Sequence, residues 1–139
     1  MTKNPIIILN PGYSAFERKL IGVAFEYVER CSKGQSRHIS FIVQRRKIIT
    51  VGWNNEFKSH TLGRKFGQRA ESIHSELHAI SRFPHRDLDI VKTIMYNVRI
   101  TRDNRIVQSK PCEACLKMVM AYNLNGLCFT NSEGVFEWV

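Results

Sequence analysis

A chain of 139 residues, 43% of them hydrophobic, can build one core but is short for two, so residues 1–139 are expected to form a single domain. No apolar run approaches the roughly 20 residues of a membrane helix, and Ile6-Ile7-Ile8-Leu9, fenced by Pro5 and Pro11, is too short for a signal-peptide core; the chain is expected in the cytoplasm, without a membrane partner. Lys and Arg number 21 against 12 acids, a formal charge of +9, which excludes an acidic, solvating character and attracts anions such as a nucleotide phosphate, RNA or single-stranded DNA.

In chain order, Ser14-Ala-Phe-Glu17 is a capping box, and Phe16, Leu20, Val23, Ala24, Tyr27, Val28 and Cys31 follow at helical spacing before Gly34. This predicts a first helix covering a sheet. His38 to Gln44 and Ile48 to Trp53 are β-rich runs joined through Arg45 and Arg46, a predicted hairpin with His38 as a structural residue. From Asn55 to Ser72 no periodicity survives, and the stretch carries Lys58, His60, Arg64, Lys65 and Arg69. Long irregular segments of this kind are often lids; its cations either hold a phosphate or form a solvated face.

A second helix is predicted from His74 to Phe83, stopped by Pro84. A third strand spans Val91 to Thr101, with Ile94, Tyr96, Val98 and Ile100 alternating. Asp103-Asn104 reads as a turn, and Arg99, Arg102, Arg105 and Lys110 add charge near one rim of any adjacent site. The third helix is predicted from Cys112 to Asn123. Leu127 to Thr130 and Val135 to Val139 then read as the last strands, and the four residues between them permit only an antiparallel hairpin, since a parallel crossover needs about a dozen.

The chemistry concentrates in His74-Ser75-Glu76 and Pro111-Cys112-Glu113-Ala114-Cys115. Two cysteines three apart at a helix start share one face, where the helix dipole favours the thiolate that binds metal. With His74 as a third ligand, a tetrahedral Zn2+ keeps one open position for water, whose pKa the ion lowers from about 15.7 to about 7. Glu76 is then available for general acid/base work. Blander readings are a redox Cys-x-x-Cys pair or a closed structural site, for which His78, one turn past His74, is the spare ligand. His74-Ser-Glu-Leu-His78 is not a metalloprotease helix, because that motif needs Glu directly after the first His. For His74 and Glu76 to converge, the helix must begin at or near His74, since positions i and i+2 face apart within it. Cys31 and Cys128 are expected to be reduced, buried small hydrophobes.

His-x-Glu followed by Pro-Cys-x-x-Cys resembles the signature of the zinc-dependent cytidine and deoxycytidylate deaminase superfamily. The resemblance implies a three-layer α/β sandwich, a mixed sheet of about five strands ending in an antiparallel hairpin, with helices packed on both faces. It also implies Zn2+ on His74, Cys112 and Cys115, Glu76 as proton shuttle, and hydrolysis of cytosine to uracil with release of ammonia. Ser75 stands where the family commonly has Ala and uses mainly backbone groups to touch the base. Gly52-Trp53-Asn54 resembles a Gly-aromatic-Asn whose Asn binds the sugar, so Asn54 is a sugar-binding candidate, with Trp53 a candidate for stacking and His60 for substrate binding.

Free (deoxy)cytidine or (d)CMP is the leading expected substrate, and single-stranded DNA or RNA cytosine the runner-up. A tRNA adenosine deaminase follows, and then a noncatalytic, zinc-stabilised nucleic-acid-binding module, which would not need Glu76. Within the superfamily that the chain resembles, an antiparallel final strand pair is typical of relatives acting on free cytidine and also occurs in DNA-attacking toxin deaminases, and a helix between these strands is typical of tRNA adenosine, deoxycytidylate and vertebrate polynucleotide deaminases. The Gly-Trp-Asn stretch leans toward deoxycytidylate enzymes, so the sequence is a mixture. A homo-oligomer is a further expectation from the free-substrate relatives.

Overall fold

The computed structural model describes residues 12–31, 37–54, 74–83, 92–122 and 124–139. Helix α1 (Ala15–Tyr27) starts at Ser14, whose hydroxyl accepts from the Glu17 N–H while the Glu17 carboxylate takes the Ser14 N–H, so the predicted capping box forms in full. A single 3-10 turn, Val28–Arg30, closes the helix short of Cys31. Strands β1 (Arg37–Gln44) and β2 (Lys47–Trp53) make the expected hairpin. Its two-residue turn puts Arg45 and Arg46 at φ 51° and 60°, the left-handed pair that matches strand twist.

Helix α2 is Ser75–Ser81, β3 is Thr93–Ile100, and α3 is Glu113–Ala121. Before α3 comes a strand the sequence pattern does not announce, β4 (Ile106–Val107), which folds back on Arg99 and Ile100. Strands β5 (Gly126–Thr130) and β6 (Phe136–Trp138) pair antiparallel, as the short connection requires. The sheet order is β2-β1-β3-β5-β6 with β4 beside the end of β3. Only β3 and β5 run parallel, and α3 supplies the crossover between them. Six strands thus stand where about five were expected, the addition being a two-residue piece too short to show a period.

Two apolar layers flank this sheet. On one face, Leu20, Ile21 and Ala24 of α1 meet Ile39, Phe41 and Val43 of β1 and Val98 and Ile100 of β3. On the other, Leu77, Ala79 and Ile80 of α2 and Cys115, Met118 and Val119 of α3 cover Ile42, Met95, Leu127 and Phe129. The arrangement is the expected three-layer α/β/α sandwich. Gly52 brings α2 down onto β2: a Cβ there would lie 2.8 Å from Ala79 Cα and closer still to Ala79 N and the Ser75 carbonyl. No side chain fits, so the start of α2 is seated directly on the sheet.

The exposed edge of β2 is blunted by α2. Arg82 donates to the Val51 carbonyl at 3.2 Å, and the Trp53 N–H is taken by His78 Nδ1 at 3.1 Å. Cys31 and Cys128 are free and buried, and burial pushes their thiols up to about 11 and about 12, which keeps them inert. Among the described residues no helix is long and apolar enough to cross a membrane.

Candidate active site

Residue 74 occupies the N-cap of α2 with an extended backbone (φ −80°, ψ 153°), and Ser75 is the first helical residue. The condition for His74 and Glu76 to converge is therefore met: the histidine stands outside the helix and the carboxylate inside its first turn. Cys112 holds the same place on α3, an extended N-cap at φ −69° and ψ 167°, and its sulfur accepts the Cys115 N–H at 3.4 Å. Two helix N-termini thus deliver the three ligand atoms.

His74 Nδ1 lies 3.5 Å from Cys112 Sγ and 3.3 Å from Cys115 Sγ, and the three ligand atoms fall within 4.8 Å of one another. A tetrahedral zinc with bonds of about 2.3 Å to sulfur and about 2.0 Å to nitrogen sets N and S about 3.5 Å apart. The donor set and its spacing fit the ion. Cys112 is drawn down to about 4, chiefly by the hydrogen bond from the Cys115 side chain and then by His74, so it is a thiolate at neutral pH. His74 is raised, first by its contact with Cys112. His78, the spare ligand of the closed-site reading, gives its Nδ1 to the Trp53 N–H instead. Among the described residues the ligand group is His74, Cys112 and Cys115 alone.

Glu76 is buried at 6% exposure, and burial raises its carboxyl above the usual carboxylate range. Its partners come from α2 and the sheet below. Ser75 Oγ donates to Oε1 at 3.1 Å and Asn97 Nδ2 to Oε2 at 3.0 Å. Ser40 Oγ donates to Asn97 Oδ1 at 2.7 Å and lies 2.7 Å from Ser75 Oγ. Ser40 and Asn97 are register partners on β1 and β3, so strand pairing alone sets them side by side. These four contacts close a ring around the carboxyl. Desolvation is the main cause of its raised proton affinity.

One rung further along the same strands, His38 and Arg99 are paired. Period two places them on the face of Ser40 and Asn97, hence on the ligand side. His38 is depressed to about 4, by burial first, then by Arg99 and His74, so it is neutral at pH 7. The Nε of Arg99 is buried and has no hydrogen-bond partner among the described residues. Sequence reasoning left His38 as a structural strand residue and Arg99 as rim charge, and did not single out Ser40, Asn97 or Ser109. The available signal was parity: a strand buried on both faces carries its second message on the positions the apolar alternation skips.

Of the substrate-binding candidates, Asn54 is buried and its Oδ1 accepts the His38 N–H at 2.9 Å, which fixes it beside β1. Ser75 turns its side chain into the ring under Glu76, a role the comparison with Ala did not foresee. Trp53 packs its indole 5.6 Å from the Tyr27 ring and 4.3 Å from His78, with the guanidinium groups of Arg30 and Arg82 over it at 5.4 and 5.3 Å. Its ring is thus engaged at the β2 edge. His60 and the basic stretch around it lie outside the described residues.

A mixed sheet that serves two helix N-termini, one imidazole, two cysteine sulfurs and a buried carboxyl fits a zinc-dependent hydrolase of the deaminase type. The family description of the cytidine and deoxycytidylate deaminase zinc-binding region matches residues 15–130, and the chain belongs to that family. Among solved structures it is similar to dCMP deaminase from the cyanophage S-TIM5 in complex with dCMP and dUMP, at 14% identity, over 88% of this chain and 84% of that one, TM-score 0.55. It is likewise similar to cytidine deaminase from Burkholderia pseudomallei, at 17% identity, over 88% of this chain and 90% of that one, TM-score 0.55. No curated protein sequence matches it.

Proposed function

We infer that the chain hydrolyses the 4-amino group of cytosine in a free nucleoside or nucleotide, cytidine, deoxycytidine or their 5′-monophosphates, leaving uracil and ammonia. The observation that carries this reading is the buried Glu76 carboxyl beside three ligand atoms at tetrahedral spacing. His74, Cys112 and Cys115 would hold Zn2+, which when bound supplies a water of lowered pKa and one open coordination position. Glu76 would carry two protons from the attacking water, the first to N3 and the second to the departing amine. C4 gains oxygen as the C4–N4 bond breaks, and no oxidant or reductant is needed. Burial raises the affinity of Glu76 for the proton it must carry between these steps. The Ser75 and Cys112 backbone N–H groups are candidates for the polar edge of the base, and Asn54 for the sugar.

Between nucleoside and nucleotide, Arg99 favours the nucleotide. A buried guanidinium nitrogen with no partner among the described residues calls for an acceptor, and a phosphate oxygen is the strongest acceptor a substrate of this class can bring to it. Arg99 pairs with His38, which is bonded to Asn54, so sugar and phosphate contacts would be neighbours. The antiparallel β5–β6 pair is compatible with a free substrate and with DNA alike and favours neither; the S-TIM5 enzyme, solved in complex with dCMP and dUMP, supports a free nucleotide. The test is one panel of uracil formation from cytidine, deoxycytidine, CMP, dCMP and single-stranded oligonucleotides, with adenosine controls. Preference for the monophosphates is expected, and it should fall in Arg99→Ala. Equal rates with and without phosphate would remove the Arg99 assignment; turnover of oligonucleotides alone, steeply salt-dependent, would move the substrate to single-stranded nucleic acid.

A further inference from the structure

We propose that Asn97, backed by Ser40, is a positioning residue that sets the plane of the Glu76 carboxylate. The inference rests on the shuttle role given to Glu76 above. A carboxylate at the end of a three-torsion side chain is free to turn about its last bond unless both oxygens are held. Here they are held from different elements, Oε2 by Asn97 Nδ2 from β3 and Oε1 by Ser75 from α2. Ser40 closes the frame by touching both holders at 2.7 Å. All four side chains are buried, Ser40 at 0%, Ser75 at 1%, Asn97 at 2% and Glu76 at 6% exposure. Water therefore cannot stand in readily for a lost partner.

The backbone of Asn97 is anchored where the sheet forks. Asn97 is the last β3 residue paired with β5, and Arg99 the first paired with β4. Ser109 fills the fork: its hydroxyl donates to the Asn97 carbonyl at 2.8 Å and accepts the Thr130 N–H at 2.8 Å, while its own N–H bonds to the Thr130 carbonyl at 2.7 Å. Ser109 also lies three residues before Cys112. One buried knot thus fixes the strand that holds the carboxylate and the segment that delivers the first thiolate. The proton carrier and the first ligand are therefore tied to the same strands through Asn97 and Ser109.

The test is a double-mutant cycle on zinc-loaded protein, with kcat and KM measured on the monophosphate or nucleoside turned over best, and zinc content and Tm recorded for every variant. Asn97→Ala is expected to lower kcat by about 10- to 100-fold, as misplacement of a reacting group by an ångström does. KM should change less than about twofold, with zinc stoichiometric. In a Glu76→Gln background the same substitution should cost nothing further, because there is no carboxylate left to place. Asn97→Leu keeps about the volume of the side chain but removes the donor, so it should be no more active than the Ala variant. Full activity of Asn97→Leu, or equal Asn97→Ala losses in both backgrounds, would overturn the positioning role while leaving the shuttle intact. A fully active Glu76→Gln would remove the shuttle itself and this proposal with it.

Discussion

The two faces of one sheet carry opposite kinds of information. On the α1 side, β1 and β3 present Ile39, Phe41, Val43, Val98 and Ile100, all buried, and every partner is apolar or nearly so. Turned by one residue, the same strands present His38 and Ser40 opposite Arg99 and Asn97, then Ile42 and Met95. The first face is held by area removed from water, a term that is not directional and tolerates a change of shape at similar volume. The second holds polar groups whose cost is repaid only while each keeps its partner. Function therefore sits where single hydrogen bonds matter, on the face that adds them to an apolar layer of its own, while the α1 face relies mainly on apolar burial.

That contrast is broken most severely from the ligand side. Cys115→Ala removes a ligand that is fully buried at the start of α3, so zinc measured by atomic absorption should fall well below stoichiometry and activity should drop to background. Stoichiometric zinc in the variant would remove Cys115 from the ligand set. Glu76→Gln keeps the metal and the fold and should lower kcat by about 10²- to 10⁴-fold, the usual weight of a general acid/base. On the opposite face, Phe41→Ala should cost about 3–5 kcal/mol of unfolding free energy in urea, the range for a buried Phe reduced to Ala. Its kcat per folded molecule should stay that of the parent. A kcat loss in Phe41→Ala as large as that of Glu76→Gln would show that the faces are not separable.

Legibility followed the same division. The capping box at Ser14, the hairpin around Arg45-Arg46 and the antiparallel end of the chain were readable because each depends on residues close in sequence. So was the His74, Cys112 and Cys115 group, since spacing within each motif implies a helix start and the resemblance supplied the pairing of the two. Ser40, Asn97 and Ser109 were not readable. They meet through strand register, β1 against β3 and β3 against the fork of β4 and β5, and register is a property of the folded sheet. Ser75 shows the limit from another direction: a comparison with Ala registers a small residue at that position, but the hydroxyl has a function only because Ser40 lies beneath it. Trp53, at the end of β2, was a stacking candidate with core packing as its blander reading, and its half-buried indole packs against Tyr27, Arg30, His78 and Arg82, partners that come from α1, the turn after it and the end of α2.

A smaller effect separates the faces by pH. His38 has a folded pKa of about 4 against 6.5 when exposed, with burial the main cause and the charges of Arg99 and His74 next. A group whose folded pKa is depressed stabilises the fold fully above its unfolded value, and that contribution is lost as pH falls. The window is from about 6.5 down to about 4. Urea midpoints taken at pH 7, 6, 5 and 4, at matched zinc loading, should fall less steeply in His38→Gln than in the parent. Identical slopes would show that His38 is solvated and not part of the closed floor of the site.

The finest comparison is between two helix caps, one on each face. Ser14 caps α1 with a hydroxyl and Cys112 caps α3 with a sulfur, and each accepts the N–H three residues on. Ser14→Ala should cost about 1 kcal/mol, the usual weight of a lost N-cap, whether or not zinc is present. Cys112→Ser has a different signature. Oxygen is the better cap, but serine cannot replace the thiolate that Cys115 and His74 favour, so in metal-free protein at pH 7 this variant should lie somewhat below the parent. Added zinc stabilises whatever it binds in the folded state, by an amount that grows with the ratio of free metal to Kd. The parent should therefore gain in Tm as zinc is titrated, Ser14→Ala should gain equally from a lower start, and Cys112→Ser should stay nearly flat. If Cys112→Ser rises as steeply as the parent, the sulfur is a cap and nothing more. If it is already strongly destabilised without zinc, the thiolate holds α3 by its bond to His74 rather than through the metal.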